Sequence, residues 1–227
     1  LETNKQEYMW QNQNFSAPDN RDLVIYELLI RDFSFRSDYQ TVIDSLPHLK
    51  ELGINAIELM PVIEFDGLLS WGYAPTYFFA AEKFYGPEET LKALIDSCHS
   101  NGIAVIMDVV FNHAFQPNPW LRLYYDKGRD EATSQSPWFN PEPTHPFNVG
   151  YDFNHSSPLV HAMVDSVLDY WTSEFRFDGY RFDLSKGFTQ FNSVGNIGLW
   201  SNYDWDRINN IKRISTNLWN NHPGKYV

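Results

Sequence analysis

Short apolar runs alternate with stretches of helical period along most of the chain, and this alternation limits the fold more than any single motif. Leu23 to Ile30 (LVIYELLI) reads as a buried strand ending at Arg31-Asp32. Tyr39 to Leu52 carries Val42, Ile43, Leu46, Leu49 and Leu52 at helical spacing, and Gly53 stops it. Asn55 to Met60 is a second strand, closed by Pro61. Pro87 to Asn101 is a second helix with Leu91, Leu94, Ile95 and Cys98 on its stripe; Pro87 suits the first turn and Asn101-Gly102 the end. Ile103 to Val110 (IAVIMDVV) is a third strand. Pro158 to Phe175 is a third helix, with Ser156 or Ser157 as its N-cap. Tyr180 to Phe182 lies in a short fourth strand, Asp204 to Asn220 forms a fourth helix, and Tyr226-Val227 begins a fifth strand.

Strands that alternate with helices pair in parallel through helical crossovers. A doubly wound sheet and an eight-fold barrel both satisfy the pattern. Residues 111 to 157 break the rhythm: they are rich in Pro and aromatics and show no clear period. A stretch this long inside a compact domain is usually functional. It follows the third strand, and polar residues end strands three and four. Both facts favour a (β/α)8 TIM barrel, whose site lies at the carboxyl ends of its strands. The expected layout is a first part of the barrel over 1–110, an inserted domain over 111–157, and a continuation over 158–227 holding strand four and the start of strand five. A nucleotide-binding doubly wound sheet would need a Gly-rich loop after strand one. Leu29-Ile-Arg-Asp-Phe33 stands there instead.

The net charge of −12 argues against a nucleic-acid partner and is compatible with a neutral substrate. Aromatics make up 17% of the chain, enough for a large core, and sugar sites also use such rings against the apolar faces of pyranoses. Cys98 is the single cysteine, so no internal disulfide can form. It falls in a helical pattern and is expected to be buried. No apolar run reaches the ~18 residues of a membrane span. Leu1 to Asn20 is polar, without a signal-peptide core. The first residue is not Met, so the chain is expected to be processed or part of something longer.

The chemistry concentrates in two runs. Phe177-Asp-Gly-Tyr-Arg-Phe-Asp183 and Asp108-Val-Val-Phe-Asn-His113 each read as a buried strand that ends in reactive side chains. Alternation along a strand places Gly179, Arg181 and Asp183 on one face and Tyr180 and Phe182 on the other. A guanidinium two residues before a carboxylate keeps that carboxylate ionised, as a glycosidase nucleophile requires.

These motifs resemble those of the α-amylase family of glycoside hydrolases, over nearly the whole chain. Asp108–His113 is similar to the family's first sequence region, and Gly179-Tyr-Arg-Phe-Asp183 to the second, which carries the nucleophile. Trp71-Gly-Tyr-Ala-Pro75 followed by Tyr77-Phe-Phe-Ala80 resembles the loop with a tyrosine platform, and Gly150-Tyr-Asp-Phe-Asn154 the motif near the end of the inserted domain. The resemblance implies retaining hydrolysis or transfer at α-glucosidic bonds through a covalent glycosyl-enzyme intermediate. Two carboxyl groups about 5–5.5 Å apart would do the work. Asp183 would be the nucleophile and Arg181 would orient it. His113 would bond the sugar beside the scissile bond, Tyr73 would stack on that sugar, and Lys186 would contact the leaving-group side. Asp108 would support Arg181 or a neighbour.

The resemblance places the general acid, a Glu, at the end of strand five, beyond Val227. The isolated 227-residue chain is therefore expected to be inactive, and poorly soluble unless its open face is covered. No cofactor is needed for the chemistry. Asn112 and Asp152 match positions that often bind Ca²⁺ in the family, while Gly187 stands where many calcium-dependent members have His, so calcium stays open. The expected partner is an α-glucan oligo- or polysaccharide, and a polymeric substrate would suit a secreted or periplasmic location. Starch or malto-oligosaccharide hydrolysis is the first reading. Debranching, branching or glucan transfer is the second, because the Trp71–Pro75 context is closer to such members. A catalytically inactive glucan-binding homologue is the alternative of another class.

Overall fold

The computed structural model describes residues 7–67, 69–147 and 149–227; the polar opening at 1–6 lies outside them. Four strand–helix units follow one another: β1 (Ile25–Leu28) and α1 (Tyr39–Glu51), β2 (Ala56–Leu59) and α2 (Glu88–Ser100), β3 (Ala104–Val110) and α3 (Pro158–Phe175), β4 (Gly179–Asp183) and α4 (Trp205–Asn221). The strands form one sheet in the order β1-β2-β3-β4, each parallel to the next. That order separates the two candidate folds. A doubly wound sheet reverses direction at a switch point, whereas here every strand lies beside its predecessor, the walk that closes a barrel. Tyr226 continues it: Gly179 and Tyr226 form a parallel bridge, with Tyr180 N–H on the Tyr226 carbonyl and Tyr226 N–H on the Asp178 carbonyl.

Side chains cap three of the helix starts, and Ser157 does so as the sequence suggests. The Asp38 side chain accepts from Thr41 N–H at 2.8 Å, Ser157 accepts from Leu159 N–H ahead of Pro158, and Asp204 accepts from Asp206 N–H. Each satisfies one of the donors that a helix start leaves open. β3 is buried along its whole length, because helices cover one face and the barrel interior the other. Val105, Met107 and Val109 join the main core with Trp171, Phe175 and Phe177. The Trp171 indole N–H donates to the Phe78 carbonyl at 2.8 Å. Ala104 and Ile106 face inward with Ala56, Leu23 and Tyr226. A concavity of about 1000 Å³ lies on this inner face, lined by Ile25, Glu58, Ile106 and Arg181 among others.

Two parts differ from the sequence reading. Strand one stops at Leu28, and Ile30–Phe33 turns into a short helix. An antiparallel hairpin, Ile63–Phe65 against Pro75–Ala81, stands between β2 and α2. It went unread because both of its faces are aromatic: Phe78 is buried while Tyr77 and Phe79 are exposed, so the polar–apolar alternation is missing. Among the described residues of the 111–157 stretch the elements are small: His113–Ala114 paired with Tyr151–Asp152, a helix Pro119–Leu123, Tyr125–Asp126 paired with Glu131–Ala132, and an isolated bridge between Phe139 and Phe153.

Candidate active site

Parallel pairing sets Arg181 on β4 opposite Asp108 on β3. Neighbouring strands lie about 4.8 Å apart, so side chains on the shared face meet. Arg181 Nη1 donates to both Asp108 oxygens at 3.1 Å and to Asp183 Oδ1 at 2.6 Å. One nitrogen thus ties the two carboxylates together. Directly after Asp183, Leu184 takes a left-handed conformation (φ 47°), which is strained for a side chain without a local polar group. That sharp turn leaves Asp183 at the strand tip, partly exposed.

Tyr73 reaches the pair from the loop before the second hairpin strand. Its hydroxyl donates to Asp108 Oδ2 at 2.7 Å, and its carbonyl accepts from His113 Nε2 at 2.9 Å. The Asn112 amide meets His113 Nδ1 at 3.1 Å, and Asn112 Oδ1 meets His145 Nε2 at 3.0 Å. Asp108, Arg181, Asp183, Tyr73, His113 and Asn112 therefore lie on one hydrogen-bonded path. Lys186 stays off it, with its ammonium 4.7 Å from the Trp200 ring centroid. Asp152 approaches through the ladder that pairs it with His113.

Burial pushes the Asp108 carboxyl up to about 7; the bonds from Tyr73 and Arg181 pull the other way without restoring it. Burial, then the bond to Asp108, raises the Tyr73 phenol. Burial lowers His113, which favours the neutral ring. Burial opposes the Arg181 charge, but Asp108 and Asp183 outweigh it and raise its pKa.

The donor set around Asn112 does not fit calcium, which takes six to eight oxygens at about 2.3–2.6 Å. Asp152 Oδ2 accepts from Asn140 at 2.7 Å, and Oδ1 lies 3.4 Å from His145 Nε2. The ring nitrogen, not an oxygen cage, stands between the two expected ligands. Among the described residues, no group of three or more His, Cys, Asp or Glu is placed to hold a metal ion. His145 escaped the sequence reading because it sits in the aperiodic stretch, 33 residues from Asn112. Only the fold brings the two together.

Fold and site define a β/α-barrel chain with an arginine-bridged carboxylate pair at its mouth. The model of the α-amylase catalytic domain matches residues 12–157. The chain is 33% identical over 178 residues to the malto-oligosyltrehalose trehalohydrolase of Saccharolobus solfataricus, covering 78% of this chain and 30% of that protein. It is 32% identical to the chloroplastic isoamylase 1 of Arabidopsis thaliana, covering 91% and 29%. Pullulanase type I from Bacillus subtilis shares the fold with a TM-score of 0.75 at 24% identity, over 99% of this chain and 33% of that one. The chain belongs to the α-amylase family, and its strands are part of a (β/α)8 TIM barrel. It spans about 30% of the length of the curated relatives it matches.

Proposed function

We propose that the protein carrying this chain is a retaining glycoside hydrolase that cuts α-glucosidic bonds of starch-like glucans or malto-oligosaccharides. The observation that carries this reading is the single Arg181 nitrogen held between Asp108 and Asp183. Asp183 is the nucleophile. It is held by a guanidinium that is itself anchored to a buried carboxylate, so its lone pairs keep one direction. Attack at the anomeric carbon forms a covalent glycosyl-enzyme intermediate while a carboxylic acid elsewhere in the barrel protonates the leaving oxygen; water then releases the sugar. His113, neutral and fixed by Tyr73 and Asn112, serves the sugar beside the scissile bond, and the Tyr73 ring gives that sugar an apolar floor. Lys186 serves the leaving-group side from the turn after β4. Likeness to isoamylase and trehalohydrolase, together with the Trp71–Pro75 loop, favours debranching or glucan transfer as the second reading.

The test is turnover of starch, pullulan and short malto-oligosaccharides by the full-length protein, with Asp183→Asn beside it. Loss of about 10⁴-fold or more in kcat is expected for the variant. The product pattern names the linkage. A folded full-length protein with no turnover on any α-glucan, or an Asn variant of unchanged rate, refutes the reading and leaves the glucan-binding alternative.

A further inference from the structure

We propose that the His145 imidazole does the work of a bound cation where it meets Asn112 at the end of β3 and Asp152. Through Asn112 it fixes the ring of His113, which makes His145 a positioning residue; this part rests on the function proposed above. In the neutral ring that burial favours, the Tyr73 carbonyl, which can only accept, places the His113 proton on Nε2 and leaves Nδ1 as an acceptor. Asn112 must then present its NH₂ to Nδ1 and turn Oδ1 toward His145. His145 Nε2 therefore carries a proton as well and donates it to Oδ1. That nitrogen has no lone pair to offer a metal.

The space around Asn112 Oδ1 is filled from both sides. Asp152 Oδ1 is buried, makes no hydrogen bond, and lies 3.4 Å from the same His145 nitrogen. On the other side the backbone closes in at Gly187, where a Cβ would stand 1.7 Å from Asn112 Oδ1 and 2.8 Å from His145 Nε2. Only glycine lets the turn after β4 pack so closely. A polar N–H bonded to the amide oxygen at 3.0 Å, with the carboxylate oxygen 3.4 Å from the same nitrogen, supplies the positive pole that a cation would bring. Asn112, His145 and Asp152 are each almost fully buried, so water competes little for these contacts.

The full-length protein decides the question in two measurements. In the first, Tm is read with EDTA and with added CaCl₂. Unchanged wild-type Tm in both is the expected result; a Tm lowered by EDTA and restored by calcium overturns the proposal, whether or not the protein proves to be a glucanase. In the second, His145→Ala, His145→Gln and His113→Ala are compared in steady-state kinetics. His145→Ala is expected to lose about 10- to 100-fold in kcat/KM, as outer partners of site ligands do, and Gln, which keeps an N–H donor, recovers most of it. Adding His145→Ala to His113→Ala costs little more, because both act through one ring. Losses that multiply, or a Gln variant as poor as Ala, overturn the positioning role.

Discussion

Asp108→Asn should make the protein more stable at alkaline pH while damaging its site. Asp108 is fully buried, and its carboxyl is pushed from an ordinary 3.8 up to about 7. Each unit is worth about 1.4 kcal/mol, so holding this group ionised costs on the order of 4 kcal/mol. The sign follows from proton binding. Between about pH 4 and 7 the unfolded chain has already released this proton and the folded chain has not, so stability falls as pH rises through that window. Below pH 4 the cost is absent; above 7 it is complete. Asn keeps the shape and an oxygen for Tyr73 and Arg181 but carries no charge. Tm of the full-length protein and the Asn variant, measured from pH 4 to 8, should diverge in favour of Asn by about 2–4 °C across the window. Over the same range the variant should lose activity, because Arg181 exchanges two carboxylate oxygens at 108 for one neutral amide oxygen and keeps only Asp183 as a charged partner. A difference in Tm that stays flat with pH, or that grows in favour of wild type, refutes the claim that Asp108 is held ionised against burial.

Tyr73→Phe removes the 2.7 Å bond to Asp108 but keeps the ring, so kcat/KM should fall about tenfold while Tm barely moves; equal kinetics would show the hydroxyl to be idle. Gly179→Ala would place a Cβ 2.4 Å from Tyr226 Cβ and 2.7 Å from its carbonyl oxygen. Urea unfolding should show a loss of about 1–3 kcal/mol, and an unchanged midpoint would deny that Tyr226 pairs beside β4. Burial raises the pKa of Cys98, which is 1% exposed, so Ellman's reagent should leave it unmodified in the native protein and label it on unfolding; rapid native labelling would contradict this packing.

The fold was legible where one period ruled one segment. Val42, Leu46 and Leu49 lie buried on α1 as their spacing required, and β3 is buried on both faces as its unbroken apolar run implied. Tyr226 could be placed because it follows a complete strand–helix unit. The hairpin at 63–81 could not, since its strands carry aromatics on both faces. The site was legible in parts: Arg181 and Asp183 share a face because they are two residues apart. That Asp108 sits opposite Arg181 depends on the parallel register, which neither strand states alone. His145 depends on a loop folding back over the end of β3, and no local pattern encodes that.

Three departures from easy folding stand near the ends of β3 and β4. Asp108 is buried at a cost, Leu184 holds a left-handed backbone, and Gly187 admits a contact that no other residue would. The same chain shows capped helices and an apolar β3 elsewhere, so it is not poorly adapted in general. Strain of this kind persists only where surrounding structure imposes it. Here each strained element adds a constraint on one neighbour: Leu184 sets where Asp183 stops, Gly187 closes on Asn112, and Asp108 anchors both Arg181 and Tyr73. A stability-driven sequence would use an apolar residue at 108, as β3 does at 106 and 110 on the same face. The carboxylate there opposes folding and orients Arg181, which is the trade expected of Asp108 under the proposed function.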